Sequence, residues 1–319
     1  MIHQTSLGAG MGRFVLRRTA QAVLVVVAAT ALVFLATFAL GDPFASSGEK
    51  AVPPAVAAAN RAKFGLDQPL PVQFLTYLGN VARLDFGVDF DQGRPVSRML
   101  AETVPNTVRL ALVAIVIDLA VGIAAGIVAA TRRYSVWDVL VTVLSTVGIG
   151  VPVFVLGVGL VATLAGVGPF PLVPRNFTVQ VPWYREVLLP ALALAAIDAA
   201  FVARLMRSSL LEVLRADYIR TARAKGLPER TVIGRHALRN ALVPVVTYAG
   251  VSLGVLFGGA IITETIFQYN GVGYLLSRAI VNNNAPVIIA IVVFSVVAYV
   301  LLSLLVDILY AALDPRIRL

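Results

Sequence analysis

The sequence predicts an all-α membrane protein with six transmembrane helices. Hydrophobic residues make up 59% and charged residues 13% of the 319 residues, whereas a soluble domain is about half apolar and about a quarter charged. The apolar residues are gathered in spaced blocks, each about long enough to cross a bilayer. These two observations favour one membrane-embedded domain over two soluble ones.

Six segments have the length and composition of a spanning helix, which needs about 20 mostly apolar residues. They are residues 19–40, 105–130, 136–167, 187–205, 242–263 and 286–313. The fourth is the shortest. The third is longer than needed and contains Gly148, Gly150 and Pro152, which predict a kink or a break near its middle.

The first segment follows Arg13, Arg17 and Arg18, an arrangement that also occurs in secretory and twin-arginine signals. The apolar core of a signal peptide has about 7–15 residues, so the longer run here favours a retained first helix.

The net charge of +9 raises the question of a nucleic-acid partner. Most Lys and Arg residues fall on one side if the spans alternate from a cytoplasmic amino terminus. This is the positive-inside bias of a membrane protein, and it explains the charge without nucleic acid. It predicts that residues 1–18 and 314–319 are cytoplasmic termini and that residues 41–104 form an extracytoplasmic segment.

The extracytoplasmic segment is rich in proline and contains a possible short amphipathic helix through Val72, Leu75, Leu78 and Ala82. We expect this helix to lie along the outer membrane interface. Two interpretations stay open, a surface cap over the helix ends and a docking surface for a soluble binding protein.

Several kinds of chemistry have little support. The chain has no cysteine and two distant histidines, so disulfides, thiol chemistry and a His/Cys zinc site are excluded or unsupported, while a carboxylate-only metal site stays possible. A phosphate-binding Gly-x-x-x-x-Gly-Lys-Ser/Thr sequence does not occur, so ATP would have to be bound by another protein.

The loop at 207–240, between the fourth and fifth spans, is the most informative stretch. The apolar residues Leu211, Leu214, Tyr218 and Ala222 recur at helical spacing and predict one stripe on a first helix. Gly226 is expected to end that helix in the left-handed conformation, and Pro228 to occupy the first turn of a second helix. An elbow of this kind can lie on anionic lipid headgroups or contact a protein partner.

The residues of this loop resemble the EAA loop of ATP-binding-cassette (ABC) importers. In Asp217-Tyr-Ile-Arg-Thr-Ala-Arg-Ala-Lys-Gly226, the last residue keeps the glycine of that pattern, but Arg220 and Thr221 replace its glutamate and first alanine. This form is similar to the variant of dipeptide and oligopeptide permeases. Phe64-Gly-Leu-Asp-Gln-Pro-Leu-Pro-Val-Gln-Phe74, Thr103-Val-Pro-Asn-Thr107 and Leu313-Asp-Pro-Arg-Ile-Arg318 resemble the B-type subunit of that family.

The resemblance implies a permease with the type I ABC importer (MetI-like) fold in the plasma membrane. A second homologous permease, two cytoplasmic ABC ATPase domains and an extracytoplasmic peptide-binding protein would be its partners. ATP and Mg would be bound by the ATPases, with no cofactor or catalytic residue in this chain. The residues implied to couple the permease to the ATPases are Asp217, Tyr218, Arg220, Thr221, Ala222, Lys225, Gly226, Leu227 and Pro228.

Acidic residues in or near the spans keep other functions open. Asp118, Asp198, Glu264 and Asp307 are candidates for structural pairing or for proton coupling. Proton coupling would suit an ion-driven secondary transporter. A membrane enzyme is the third possibility, but no segment gathers a nucleophile, a base and a metal cluster.

Gly122 and Gly126 stand in a Gly-x-x-x-Gly spacing, which allows the backbones of two helices to approach closely. In the fifth span, Gly250, Gly254, Gly258 and Gly259 favour either internal packing or a subunit interface along the pathway.

Overall fold

The computed structural model describes residues 3–36, 68–89, 93–168, 182–282 and 284–313, with isolated helical positions at 55, 58 and 62. Within these residues the regular secondary structure is helical, apart from one isolated bridge between Val88 and Pro95. The α-helices are α1 (His3–Phe34), α2 (Leu70–Ala82), α3 (Val96–Thr131), α4 (Val136–Gly150), α5 (Val153–Leu164), α6 (Trp183–Val213), α7 (Asp217–Ala224), α8 (Glu229–Thr231), α9 (Leu238–Ala241), α10 (Val243–Ile266), α11 (Val272–Val281) and α12 (Ala285–Leu313).

The chain divides into two compact units. Unit 1 comprises Met1–Asn106 and Asn270–Leu319, and unit 2 comprises Thr107–Tyr269. The predictions for most of residues 41–67, for the tail 314–319 and for the side chain of Asp307 lie outside the described residues.

In unit 1, α1 packs against α12 and α2, and α11 packs against α12. The ring of Phe34 at the end of α1 meets the rings of Phe74 and Tyr77 on α2, with centroid distances of 5.4 and 5.8 Å. The buried amide of Asn284 donates a hydrogen bond of 2.6 Å to Asp89 Oδ1. The loop before α3 is therefore tied to the start of α12.

The amphipathic helix predicted in the outer segment is present as α2. Its buried side chains are Gln73 and Tyr77, whereas Val72 and Leu75 on the predicted apolar stripe are 44% and 66% exposed. The stripe thus lies outside the core of unit 1, and its location along the membrane interface stays a prediction.

In unit 2, α6 is the central helix. It packs against α4, α5 and α10, and 61% of the residues in its apolar stretch are buried. The kink predicted in the third span is confirmed, since α4 and α5 are bent by 106° at the break before Pro152. Proline supplies no backbone N–H there and cannot continue the hydrogen-bond ladder.

The described helices do not confirm six spans. Four are long and apolar enough to cross a membrane, and the bent α4–α5 pair raises the number to five. These four are Leu16–Phe34, Val96–Thr131, Trp183–Val213 and Pro286–Val306. In α10 the apolar stretch, Val243–Gly254, is shorter.

Helix bounds also differ from the expected spans. The fourth span, predicted to be the shortest, belongs to the 31-residue helix α6. The helix is longer than the apolar run at 187–205, because residues such as Arg207 and Glu212 end that run but do not end the helix. Likewise α3 begins at Val96 and carries Pro105 inside it, although the span was expected to begin at that proline.

Candidate functional site: the elbow at residues 207–240

The loop at 207–240, called the elbow from here on, contains more breaks than the sequence predicted. The first helix was expected to run through to Gly226, but α6 ends at Val213, and α7 begins only at Asp217 after a short turn. Ala216 has an extended backbone with ψ 148° and so separates the two helices. Asp217 in the first turn of α7 suits the positive end of the helix dipole.

This break changes which side chains are buried. The predicted stripe placed Tyr218 on the apolar face, but Tyr218 is 43% exposed, whereas its neighbour Ile219 is fully buried. Ala222 is buried as predicted for that stripe. The expectation for Tyr218 is therefore wrong, and the buried face of α7 consists of Ile219 and Ala222.

Gly226 has φ +75°, so the predicted left-handed conformation is confirmed. Its N–H donates to Arg223 O at 2.9 Å, and the N–H of Leu227 donates to Ala222 O at 3.4 Å. These two bonds form a Schellman motif, which satisfies carbonyl groups at the end of α7. Pro228 lies just before α8 as its N-cap residue, one position earlier than predicted.

The tip of the elbow, residues 223–230, is exposed throughout. One ion pair spans the turn, with Arg223 Nη2 2.7 Å from Glu229 Oε1. The hydrogen bond from Arg223 holds the pKa of Glu229 below its usual value. Of the residues implied to contact an ATPase, all except Ala222 are exposed, so Ala222 positions α7 rather than contributing surface.

The base of the elbow is packed into unit 2. The apolar cluster beneath it comprises Ala130, Val202, Met206, Leu210, Ile219, Ala222, Val232, Ala237, Ala241 and Val245. Two hydrogen bonds add to this packing, from Asn240 Nδ2 to Tyr218 Oη at 2.7 Å and from Ser209 Oγ to Ala241 O at 2.9 Å. The elbow therefore has an exposed tip on a base held by side chains from several helices.

Two descriptions of known protein families match this chain. Residues 122–319 match the family described as the inner membrane component of binding-protein-dependent transport systems, and residues 11–111 match the N-terminal region of such membrane components. The chain belongs to this family. The resemblance identified from the sequence is confirmed, and this permease is a multi-pass protein of the inner membrane.

Individual relatives match nearly the whole permease. A probable peptide ABC transporter permease of Sinorhizobium fredii is 36% identical over 97% of this chain and 100% of its own length. The oligopeptide transport system permease AppB of Bacillus subtilis is 37% identical, with 97% and 100% covered. The glutathione transport system permease GsiC of Salmonella paratyphi A is 38% identical, with 97% and 99% covered.

A solved structure supports the fold of the permease. The crystal structure of an amino acid ABC transporter with histidines aligns with a TM-score of 0.52 and 17% identity, covering 68% of this chain and 95% of that chain. At this identity the likeness shows the fold alone.

Sequence reasoning missed one ion pair at the base of the elbow. Arg207 Nε donates to Asp138 Oδ1 at 2.6 Å and Arg207 Nη2 to Asp138 Oδ2 at 3.0 Å, so the pair is bidentate. The N–H of Tyr134 also donates to Asp138 Oδ2, at 2.9 Å. This pair joins the start of α4 to α6 of the permease, close to where α6 enters the elbow.

A second feature that was missed is a π-helical stretch, Val232–Ala237, in place of a regular second helix. π-Helical segments are rare and often occur at functional sites. Gly234 and Arg235 lie exposed on it, while Val232 and Ala237 are buried. No local sequence signal marks such a stretch.

Among the described residues, no three or more His, Cys, Asp or Glu side chains are grouped so that they could hold an ion. That ATP and Mg are bound only by partner subunits stays a prediction.

Proposed function

We propose that this permease is the transmembrane subunit of an ABC importer that carries peptides across the inner membrane. The observation that carries this proposal is the match to whole permeases named for peptide, oligopeptide and glutathione transport, at 36–38% identity over 97% of the chain. Glutathione is itself a small peptide, so these names share one substrate class.

The permease does no covalent chemistry in this proposal. A second homologous permease completes the pathway, and two cytoplasmic ABC ATPase domains bind ATP and Mg and supply the energy. An extracytoplasmic binding protein delivers the peptide. Both termini and the elbow lie on the cytoplasmic side, and residues 41–104 lie on the outer side.

The elbow is the contact through which the ATPases act. The residues for docking lie on the exposed face of α7 and at the tip, namely Asp217, Tyr218, Arg220, Thr221, Lys225, Gly226, Leu227 and Pro228. The base of the elbow is packed by Ile219, Ala222 and Val232, all fully or nearly fully buried. A displacement of the tip is therefore transmitted to α6 and α10 as a movement of packed helices.

The two-permease complex, reconstituted in liposomes with its ATPases and binding protein, tests this function. We expect accumulation of a labelled dipeptide or oligopeptide that requires ATP and the binding protein and survives an uncoupler. Uptake that collapses with the uncoupler while ATP remains would instead identify an ion-driven transporter.

A further inference from the structure

The turn at residues 132–135 of unit 2, between α3 and α4, presents two arginines and an aromatic ring at the surface. Arg132 and Arg133 are exposed, and Tyr134 is 80% exposed. The guanidinium of Arg133 lies over the ring of Tyr134, 4.4 Å from its centroid. Because the face of an aromatic ring attracts a cation, this contact places Arg133 beside Tyr134.

The backbone of this turn has an unusual conformation that the surrounding residues hold in place. Tyr134 has φ +64°, a region that bulky residues rarely occupy. Its N–H donates to Asp138 Oδ2 at 2.9 Å, and Asp138 is itself held by the bidentate pair with Arg207. The hydroxyl of Ser135 accepts from the N–H of Asp138 at 3.4 Å and so caps α4. The exposed position of Tyr134 is thus fixed by its contacts.

The charge on the surface of the turn is positive. Asp138 is buried, and both of its carboxylate oxygens accept from Arg207. Among the residues that the structure describes, neither Arg132 nor Arg133 forms an ion pair with a carboxylate. The turn therefore offers two guanidinium groups to an external anion.

An apolar helix surface begins directly after the turn. The turn lies at the end of one candidate span, Val96–Thr131, and at the start of the bent pair that begins at Val136. The buried residues of α4 are Asp138 and Ser145. Spacings of three and four place a set of exposed apolar residues on one stripe, namely Val136, Leu140, Leu144 and Val147. The positive charges thus stand where a spanning helix leaves the apolar part of a bilayer.

We propose that Arg132, Arg133 and Tyr134 bind the headgroup of an anionic phospholipid whose acyl chains lie along the exposed stripe of α4. Such a lipid joins an anionic phosphate to apolar chains, so one molecule complements both the charge of the turn and the stripe after it. A guanidinium can donate two parallel hydrogen bonds to a phosphate.

The aromatic residues at this end of α4 fit the same ligand. Tyrosine and tryptophan favour the level of the headgroups, where one end of the ring system is apolar and the other is wet. Tyr134 stands in the turn, and Trp137, in the first turn of α4, is also exposed. This lipid site is separate from the elbow tip and goes beyond the proposed function.

Native mass spectrometry of the purified, delipidated permease complex tests the proposal, with phosphatidylglycerol and phosphatidylcholine as the added lipids. We expect wild type to bind phosphatidylglycerol more tightly than phosphatidylcholine. The double variant Arg132→Gln/Arg133→Gln should bind phosphatidylglycerol about 25-fold more weakly, because each basic residue near an anionic lipid contributes about fivefold. Its binding of phosphatidylcholine should not change.

A matched control removes the same number of charges elsewhere. Arg235→Gln/Arg239→Gln changes two exposed arginines of the elbow and should leave phosphatidylglycerol binding as in wild type. An equal loss in this control would overturn the proposal, because it would assign the effect to overall charge or to the elbow.

A second variant separates lipid binding from a purely structural role of the turn. Tyr134→Gly removes the ring, and glycine adopts positive φ readily. We therefore expect this variant to unfold at no lower temperature than wild type without added lipid, yet to bind phosphatidylglycerol more weakly.

Several results would contradict the lipid site. They are equal binding of the two lipids by wild type, and unchanged phosphatidylglycerol binding in either Arg132→Gln/Arg133→Gln or Tyr134→Gly. Loss of another subunit from the Arg132→Gln/Arg133→Gln complex would also overturn the proposal, since that result identifies the turn as a contact between proteins.

Discussion

Replacing Gly226 by valine is expected to uncouple the permease from its ATPases without preventing membrane insertion. The backbone there has φ +75°, and nothing lies within 4 Å of a Cβ built at this position. The penalty therefore comes from the backbone alone. It is about 1–2 kcal/mol for a residue with a Cβ in the left-handed region, and greater for a β-branched one.

A penalty of that size is enough to change the elbow. A penalty of one to two kcal/mol lowers the ratio of the native turn to other conformations by about 5-fold to 30-fold. The Schellman motif at Gly226 would therefore be lost, and the tip at residues 223–230 would shift. The assay is ATPase activity stimulated by the binding protein, measured with peptide uptake in proteoliposomes and with subunit content on the same sample. We expect little uptake and either uncoupled ATPase activity or loss of the ATPase subunits.

Two matched controls separate backbone strain from other effects. Gly226→Asn should retain most coupling, because asparagine tolerates the left-handed region. Gly234→Ala should be tolerated, since Gly234 is not among the glycines with positive φ and a Cβ there meets no atom within 4 Å. Wild-type coupling in Gly226→Val would refute the role of this turn in energy transmission.

Three further predictions follow from the contacts of unit 2 and the elbow. Arg207→Ala should destabilise the complex by about 1–3 kcal/mol, because it leaves the buried carboxylate of Asp138 without its charged partner; thermal unfolding measures this, and a double-mutant cycle with Asp138→Asn should show coupling rather than additivity. Gly122→Val should disrupt packing by about 1–3 kcal/mol, since its Cβ already meets backbone and side chain below 3 Å; Gly159→Ala, where a Cβ meets nothing within 4 Å, should leave the melting temperature unchanged. The lowered pKa of Glu229 means that its ion pair contributes above the unfolded-state pKa and is lost as pH falls through the folded-state value; because the pair is exposed, unfolding measured across that range should differ little between wild type and Glu229→Gln.

Local chemistry made some of the elbow predictable. A glycine two residues before a proline, after a helical pattern, predicts a left-handed helix end whatever the rest of the fold does, and Gly226 has that conformation. The bend at Pro152 also has a local cause, because proline supplies no backbone N–H to the helical hydrogen-bond ladder.

Contacts between distant segments made the rest unpredictable. Leu214, Arg215 and Ala216 are all good helix formers, yet the helix breaks there, and burial of Ile219 in the cluster with Leu210 and Val232 accompanies that break. The partners Asp138 and Arg207 are 69 positions apart, so no spacing rule pairs them. Hydropathy located α6 but not its end, because its last two turns include Arg207, Ser208, Ser209 and Glu212 and are still helical.

If the exposed tip of the elbow contacts an ATPase, a single cysteine introduced at the tip can be crosslinked to that subunit. The chain has no cysteine of its own, so Leu227→Cys, at a residue that is 37% exposed, reports on one position. Leu75→Cys on α2, a 66% exposed residue predicted to lie on the opposite side of the membrane, is the control. We predict that in the assembled complex a thiol-reactive crosslinker joins the Leu227→Cys variant to the ATPase subunit and does not join the Leu75→Cys variant to it. Failure of the Leu227→Cys variant to crosslink to the ATPase in a complex that still transports peptide would show that the tip does not contact the ATPase, and would leave the elbow as a basic segment lying on lipid.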